Sequence, residues 1–171
     1  MTHADLSPVT HSAADVARLL GLQPLVPEGG FFRRVAEGPA DGATGRRTWS
    51  TILFLVTPAG FSALHRMKAD EVWCFHSGDA LESLRLGPEG GVEWVRLGLN
   101  PAAGERAQDV VRGGVWQGTR LVAGGRWALV SCVVVPEFVW EDFELGERVE
   151  LAARYPAFAA AIAELTRPHG P

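Results

Sequence analysis

The richest chemistry in this chain lies between Gly60 and Gly78, in the stretch GFSALHRMKADEVWCFHSG. His65 and Glu71 sit six positions apart, on two strand-like runs joined by a short charged turn. Such a pair can point into one cavity, as half of a metal site or as a complete acid/base pair. An imidazole beside a carboxylate is oriented by it and made more basic, which suits proton abstraction next to a carbonyl. The plainer alternative is a buried Glu and His that only satisfy each other's hydrogen bonds. Side chains alternate across a strand, so Trp73 and Phe75 share the face of Glu71, and Ala63 and Met67 share that of His65. Aromatic walls with a few polar groups are typical of small-molecule sites. By the same alternation Val72, Cys74 and His76 face away, which makes Cys74 inert rather than nucleophilic.

A second candidate segment is Pro27-Glu28-Gly29-Gly30-Phe31-Phe32-Arg33. Its paired glycines allow a tight bend or a close backbone approach. Phe32 can cover a ligand ring, and Arg33 can bind a carboxylate or phosphate in bidentate fashion. In the competing reading, Glu28 and Arg33 pair with each other or sit at a subunit contact.

These residues need a β framework to hold them. Residues 12–22 read as a helix capped by Ser12, with Asp15 in its first turn, Gly21 at its end and an apolar stripe of Val16, Leu19 and Leu20. A second helix is expected over 157–166, where Phe158, Ile162 and Leu165 form one stripe. Between them lie short apolar runs at 49–57, 61–67, 72–76, 81–86, 92–97, 108–111, 115–122, 127–135 and 138–143, separated by turn residues such as Pro88-Glu89-Gly90-Gly91. Runs at hairpin spacing predict an all-β protein, an antiparallel sandwich or jelly roll with a short helix at each end. The 171 residues suit a single domain, with a barrel core over 27–145.

Composition narrows the partners. With 47% hydrophobic and 21% charged residues, the chain is ordinary for a globular protein. A net charge of -4, one lysine (Lys68) and scattered arginines argue against nucleic-acid binding. The N-terminal stretch does not read as a secretory signal, and no apolar run is long enough to span a membrane. Cys74 and Cys132 both fall in strand-like runs and read as buried free thiols, so a cytoplasmic location is expected.

Gly60, His65, Glu71 and Gly78 lie close to the first cupin motif, G-x5-H-x-H-x3-4-E-x6-G, with the first glycine one residue nearer the His. PEGGFFRR at 27–34, DEVWCFHSGD at 70–79, VVRGGVWQG at 110–118 and VPEFVWEDFEL at 135–145 sharpen the match. Together these blocks resemble the cupin superfamily, in the type-five subfamily similar in shape to RmlC-like sugar-nucleotide epimerases. The resemblance covers roughly residues 16–156 and implies a cupin double-stranded β-helix.

The resemblance also brings departures. Met67 stands where metal-dependent cupins have a second His, and Gln117 where they have a third. Gln117 thereby joins the expected pocket of His65, Met67, Glu71, Trp73 and Phe75. The ligand-type set left is His65, Glu71 and Gln117, which would hold a divalent ion such as iron, zinc, manganese or nickel only weakly. No cofactor is firmly implied. Epimerases of the resembling type pair a His base with an acidic partner, which makes His65 the base and Glu71 its partner. They also need a proton donor, commonly a Tyr, and the single tyrosine, Tyr155, lies in the C-terminal segment.

The expected function is therefore small-molecule binding, with proton transfer or isomerisation on a sugar-like or ring-containing ligand. A metal-dependent dioxygenase or isomerase and a non-catalytic sensor are the alternatives. Cupins of this kind commonly form homodimers through an exchanged N-terminal strand, here 31–35, with Trp49 and Trp94 available for burial at the interface.

Overall fold

A computed structural model describes residues 6–167. Helix α1 (Ala13–Leu20) opens the chain, closed by the Ser12/Asp15 capping box and by Gly21 in the left-handed conformation. Strands β1 (Gln23–Pro24), β2 (Phe31–Glu37), β3 (Ser50–Val56), β4 (Ser62–Met67), β5 (Asp70–Gly78) and β6 (Leu81–Leu86) follow. Next come β7 (Val92–Leu97), β8 (Gln108–Val111), β9 (Trp116–Leu121), β10 (Ala128–Val135) and β11 (Phe143–Leu145), then helices α2 (Arg148–Arg154) and α3 (Ala159–Leu165). No helix of the described residues is long and apolar enough to cross a membrane.

The strands form two antiparallel sheets in the orders β1-β2-β3-β10-β5-β8 and β11-β4-β9-β6-β7, the jelly roll expected from the pattern of short strands. Phe54, Trp73, Phe75, Leu81, Leu97 and Leu121 fill the far half of the space between them. α1 covers the outer face of the first sheet, setting Val16 against Leu55, Trp127 and Leu129. α2 and α3 cover the outer face of the second, where Leu151, Ile162 and Leu165 meet Leu64 and Leu84. β4 is thus buried on both faces: Leu64 points out to the helices, while Ala63, His65 and Met67 point in. Gly118 lies under that contact, because a Cβ there would stand 2.8 Å from Leu64 Cγ.

Three local expectations change. Residues 138–142 are not a strand: a single helical turn over Trp140–Asp142 precedes the short β11. That turn lets Phe138, Trp140 and Phe143 cluster instead of alternating across a sheet. α2 is an additional helix; its seven residues are too few to show a periodic stripe, and Leu151 is its one buried side chain. Cys74 is only half-buried, whereas Cys132 is buried, and both thiols are free.

Candidate active site

His65 and Glu71 do not lie on paired strands. β4 belongs to one sheet and β5 to the other, so the turn at Lys68-Ala69 crosses the sandwich and the two side chains meet across its interior. Antiparallel register builds a row beside His65. It faces Gln117 on β9, which in turn faces Arg85 on β6. On the opposite sheet Glu71 faces Val134 on β10, two positions from Cys132.

The direct His65–Glu71 pair expected from the spacing is not formed, because the Gln117 amide stands between them. Its Nε2 donates to Glu71 Oε2 at 2.5 Å and lies 3.3 Å from His65 Nε2. Trp73 Nε1 donates to the same Glu71 oxygen at 3.0 Å. His65 Nδ1 donates to the carbonyl of Ala63 at 2.8 Å. A carbonyl can only accept, so this partner assigns the neutral ring's proton to Nδ1 and leaves Nε2 as the lone-pair nitrogen. Phe143 stacks on the imidazole, with centroids 5.1 Å apart and planes 22° from parallel.

A cavity of about 180 Å³ opens in front of this array. His65, Glu71, Met67 and Phe32 line it, as the sequence suggests, and Gln117 stands behind them, almost wholly buried. Trp73 and Phe75 are not part of its wall. They share the inward face of Glu71, but the cavity ends before them, and they pack into the hydrophobic core against Phe54 and Leu81. Arg33 is exposed and points away; its neighbour Arg34 lines the mouth. The reason is period two: once Phe32 faces in, Arg34 must face in and Arg33 out. Tyr155 is buried under the helices and donates to the carbonyl of Gly87 at 2.7 Å, away from the cavity.

Several wall residues were not anticipated. Cys132 and Val134 come from β10, Ser50 and Ile52 from β3, and Phe138 and Trp140 from the turn after β10. Alternation along Ala128–Val135 would have put Cys132 and Val134 on one inward face; no local signal marks Trp140.

Glu28 is the most consequential addition. It pairs with neither Arg33 nor a strand neighbour, but enters the cavity from the loop before β2. Gly29 and Gly30 carry φ values of +114° and +71°, and a Cβ on Gly30 would stand 2.7 Å from the Phe54 ring and 2.8 Å from the Leu55 carbonyl. Only glycine tolerates both the conformation and the closeness. Ser62 Oγ donates to Glu28 Oε1 at 2.6 Å, and the same oxygen lies 4.0 Å from His65 Nδ1. Burial pushes the Glu28 carboxyl above its usual range, and the imidazole and the Ser62 bond oppose that shift. Burial, then the charges of Glu71 and Glu28, push the Cys132 thiol well up, which keeps it protonated and unreactive.

The residues do not fit a tightly held divalent cation. Among the described residues no group of three or more His, Cys, Asp or Glu side chains converges. Gln117 turns its N–H groups, not its oxygen, toward the space between His65 and Glu71. Its Oε1 faces Arg85 Nη1 at 3.4 Å. Turning the amide over would set oxygen against Glu71 Oε2 and nitrogen against the guanidinium.

A family model described as Cupin superfamily (DUF985), Cupin_5, matches residues 14–146. The chain is similar to a solved protein of Shewanella oneidensis, at 38% identity over 94% of this chain and all of that one, with a TM-score of 0.87. A hypothetical protein from Leishmania major shows 32% identity over 92% of this chain, with a TM-score of 0.83. An oxalate decarboxylase of Bacillus subtilis shares only the fold, at 15% identity, a TM-score of 0.52 and 41% of that chain. No curated protein matches.

Proposed function

The chain belongs to the Cupin_5 (DUF985) family of the cupin superfamily, and on that premise we propose that it binds one small ring-containing, sugar-like molecule and transfers a proton on it. The observation that carries this reading is the tautomer of His65, whose Nδ1 is committed to Ala63 while the ring lines the cavity. A neutral imidazole held this way presents Nε2 as a base. The contact from Gln117 is long at 3.3 Å, so a ligand proton can take its place. Glu71 does not touch His65; it accepts from Gln117 Nε2 and so keeps that amide in place as the ligand enters.

Size supports a single ring. An apolar cavity of roughly 150 Å³ takes up benzene, so about 180 Å³ suits one ring with small substituents and not a whole sugar nucleotide. Phe32, Phe138 and Trp140 supply flat apolar walls for such a ring.

The test is deuterium incorporation from D2O into a panel of aldoses, ketoses and amino sugars, read by mass spectrometry. The wild type is expected to introduce deuterium into at least one panel member, and His65→Ala to abolish exchange while keeping the native circular dichroism spectrum. Binding without exchange would favour a sensor module. Exchange that appears only with a stoichiometric metal would favour the metal-dependent alternative.

We also propose that two copies pair along β2. β1 covers its outer edge only at Phe31 and Phe32, and Val35 beyond is 52% exposed. Antiparallel pairing centred on Val35 would bring Arg33 of each copy opposite Glu37 of the other, a favourable cross-strand pair. Light scattering on the wild type and Val35→Lys tests this, with a dimer expected to become a monomer.

A further inference from the structure

We infer that the cavity selects a ring bearing a protonated amine, with Glu28 as the residue that reads the positive charge; this rests on the small-ring reading above. Acceptors dominate the wall. Glu28 and Glu71 both place carboxylates in it, and among the described residues no donor reaches Glu28 Oε2, since Ser62 and His65 both approach Oε1. Glu71 is different, because Oε2 already accepts from Gln117 and Trp73. Fewer donors therefore reach the Glu28 carboxylate, which Ser62 meets at Oε1, than reach that of Glu71, which accepts from Gln117, Trp73 and the Cys132 thiol.

Cationic competition is weak. Arg34 is the one arginine in the wall; its side chain is 44% exposed at the mouth and is bound to Glu137 at 3.1 Å and Glu37 at 3.6 Å. Arg85 is held behind Gln117 by Asp109 at 3.2 Å. The thiol of Cys132 adds no charge. Arg167 acts on Glu28 from outside the wall, where it donates to the carbonyls of Glu28 and Phe61; a carboxylate ligand would still meet two carboxyls in the wall, and burial makes that repulsion costly. An ammonium would find the Glu28 carboxylate and the aromatic rings of Phe32, Phe138 and Trp140 in the same wall, a composition that favours organic cations.

The fold holds Glu28 in place for this. Its loop turns back through Leu25 N–H to the Gly30 carbonyl at 3.1 Å and Gly29 N–H to the Leu25 carbonyl at 2.7 Å, while Ala63 N–H donates to the Glu28 carbonyl at 3.1 Å. The backbone on both sides of the carboxyl is thus tied down, and the site is formed before a ligand arrives.

Three probes sharing one ring test the inference: cyclohexylamine, cyclohexanol and cyclohexanecarboxylate, titrated at pH 7 by isothermal calorimetry or NMR. Cyclohexylammonium is expected to bind at least tenfold more tightly than the alcohol, and the carboxylate most weakly. Glu28→Gln should bring the amine to within about threefold of the alcohol, an effect that loss of fold would not produce because alcohol binding persists. Ile52→Trp, which fills the cavity, should abolish binding of all three. If amine and alcohol bind alike and Ile52→Trp removes both, the small-ring reading stands and the charge selection is overturned. Tightest binding by the carboxylate also overturns it. If no probe binds, or if Ile52→Trp leaves binding intact, the small-ring reading itself falls and this inference with it.

Discussion

Glu28 Oε1 stands 4.0 Å from Nδ1 of His65, on the edge of the ring opposite the one that meets Gln117. The imidazole is therefore set between two carboxyls of different character. Glu71 acts at one remove through an amide, and Glu28 faces the ring directly with burial raising its pKa.

That raised pKa gives stability a definite pH dependence. Unfolded, Glu28 ionises near its ordinary value of 4.5; folded, it ionises higher. Its contribution is fully present below the unfolded value and is lost as pH rises through the folded one. Glu28→Gln cannot ionise, so its melting temperature relative to wild type should rise as pH increases from 4.5 through that window and then level off. Paired thermal melts between pH 4 and 8 check this, and a difference independent of pH would contradict it.

Gly30→Ala should destabilise the protein by about 1–3 kcal/mol or more, because a Cβ there meets the Phe54 ring and the Leu55 carbonyl at φ +71°. Urea unfolding measures the loss. Gly90→Ala is the control, since its positive φ meets open space and carries only the conformational cost.

Asp109 holds a buried cation. Arg85 Nη2 lies 3.2 Å from Asp109 Oδ2 without hydrogen-bond geometry, Nε has no hydrogen-bond partner among the described residues, and Asp109 is the foremost of the carboxylates offsetting that charge, ahead of Glu71 and Glu93. Asp109→Ala should cost about 3–5 kcal/mol by removing that foremost counter-charge. Arg112→Ala breaks a shorter bridge to Asp70, but that arginine is 76% exposed, and the loss should stay below about 1 kcal/mol. Equal losses in the two variants would refute the argument.

Gln117 decides how the site treats metals. Protein purified without chelators should carry well under one divalent ion per chain by elemental mass spectrometry. Gln117→His replaces a donor by a lone-pair ligand beside His65 and Glu71, and should raise zinc affinity at least tenfold, roughly the effect of completing a three-ligand set. Stoichiometric metal in the wild type would show that the amide turns over.

Trp140 should report ligand entry. It is half exposed at the cavity wall and packs edge-on against Phe138 and Phe143. A bound ring should change the intrinsic fluorescence, and Trp140→Phe should remove most of that change, although Trp73 and Trp127 stay buried.

Much of this protein was legible along the chain. Period-two runs and their turns give the strands, Ser12 and Gly21 bound the first helix, and His65, Glu71, Met67 and Phe32 are recognisable as inward-facing. These are local properties, set by side-chain alternation and backbone preference. The same rule, applied strictly, separates Arg34 from Arg33. What the chain could not show is which inward face belongs to which sheet and where the core stops and the cavity begins. Only the assembled sandwich places β4 opposite β5, inserts Gln117 between His65 and Glu71, and closes the far end with Trp73 and Phe75. Glu28 is the clearest case: paired glycines announce a bend, but its direction depends on the close approach of Gly30 to Phe54 and the Leu55 carbonyl, which exists only after the sheets have packed.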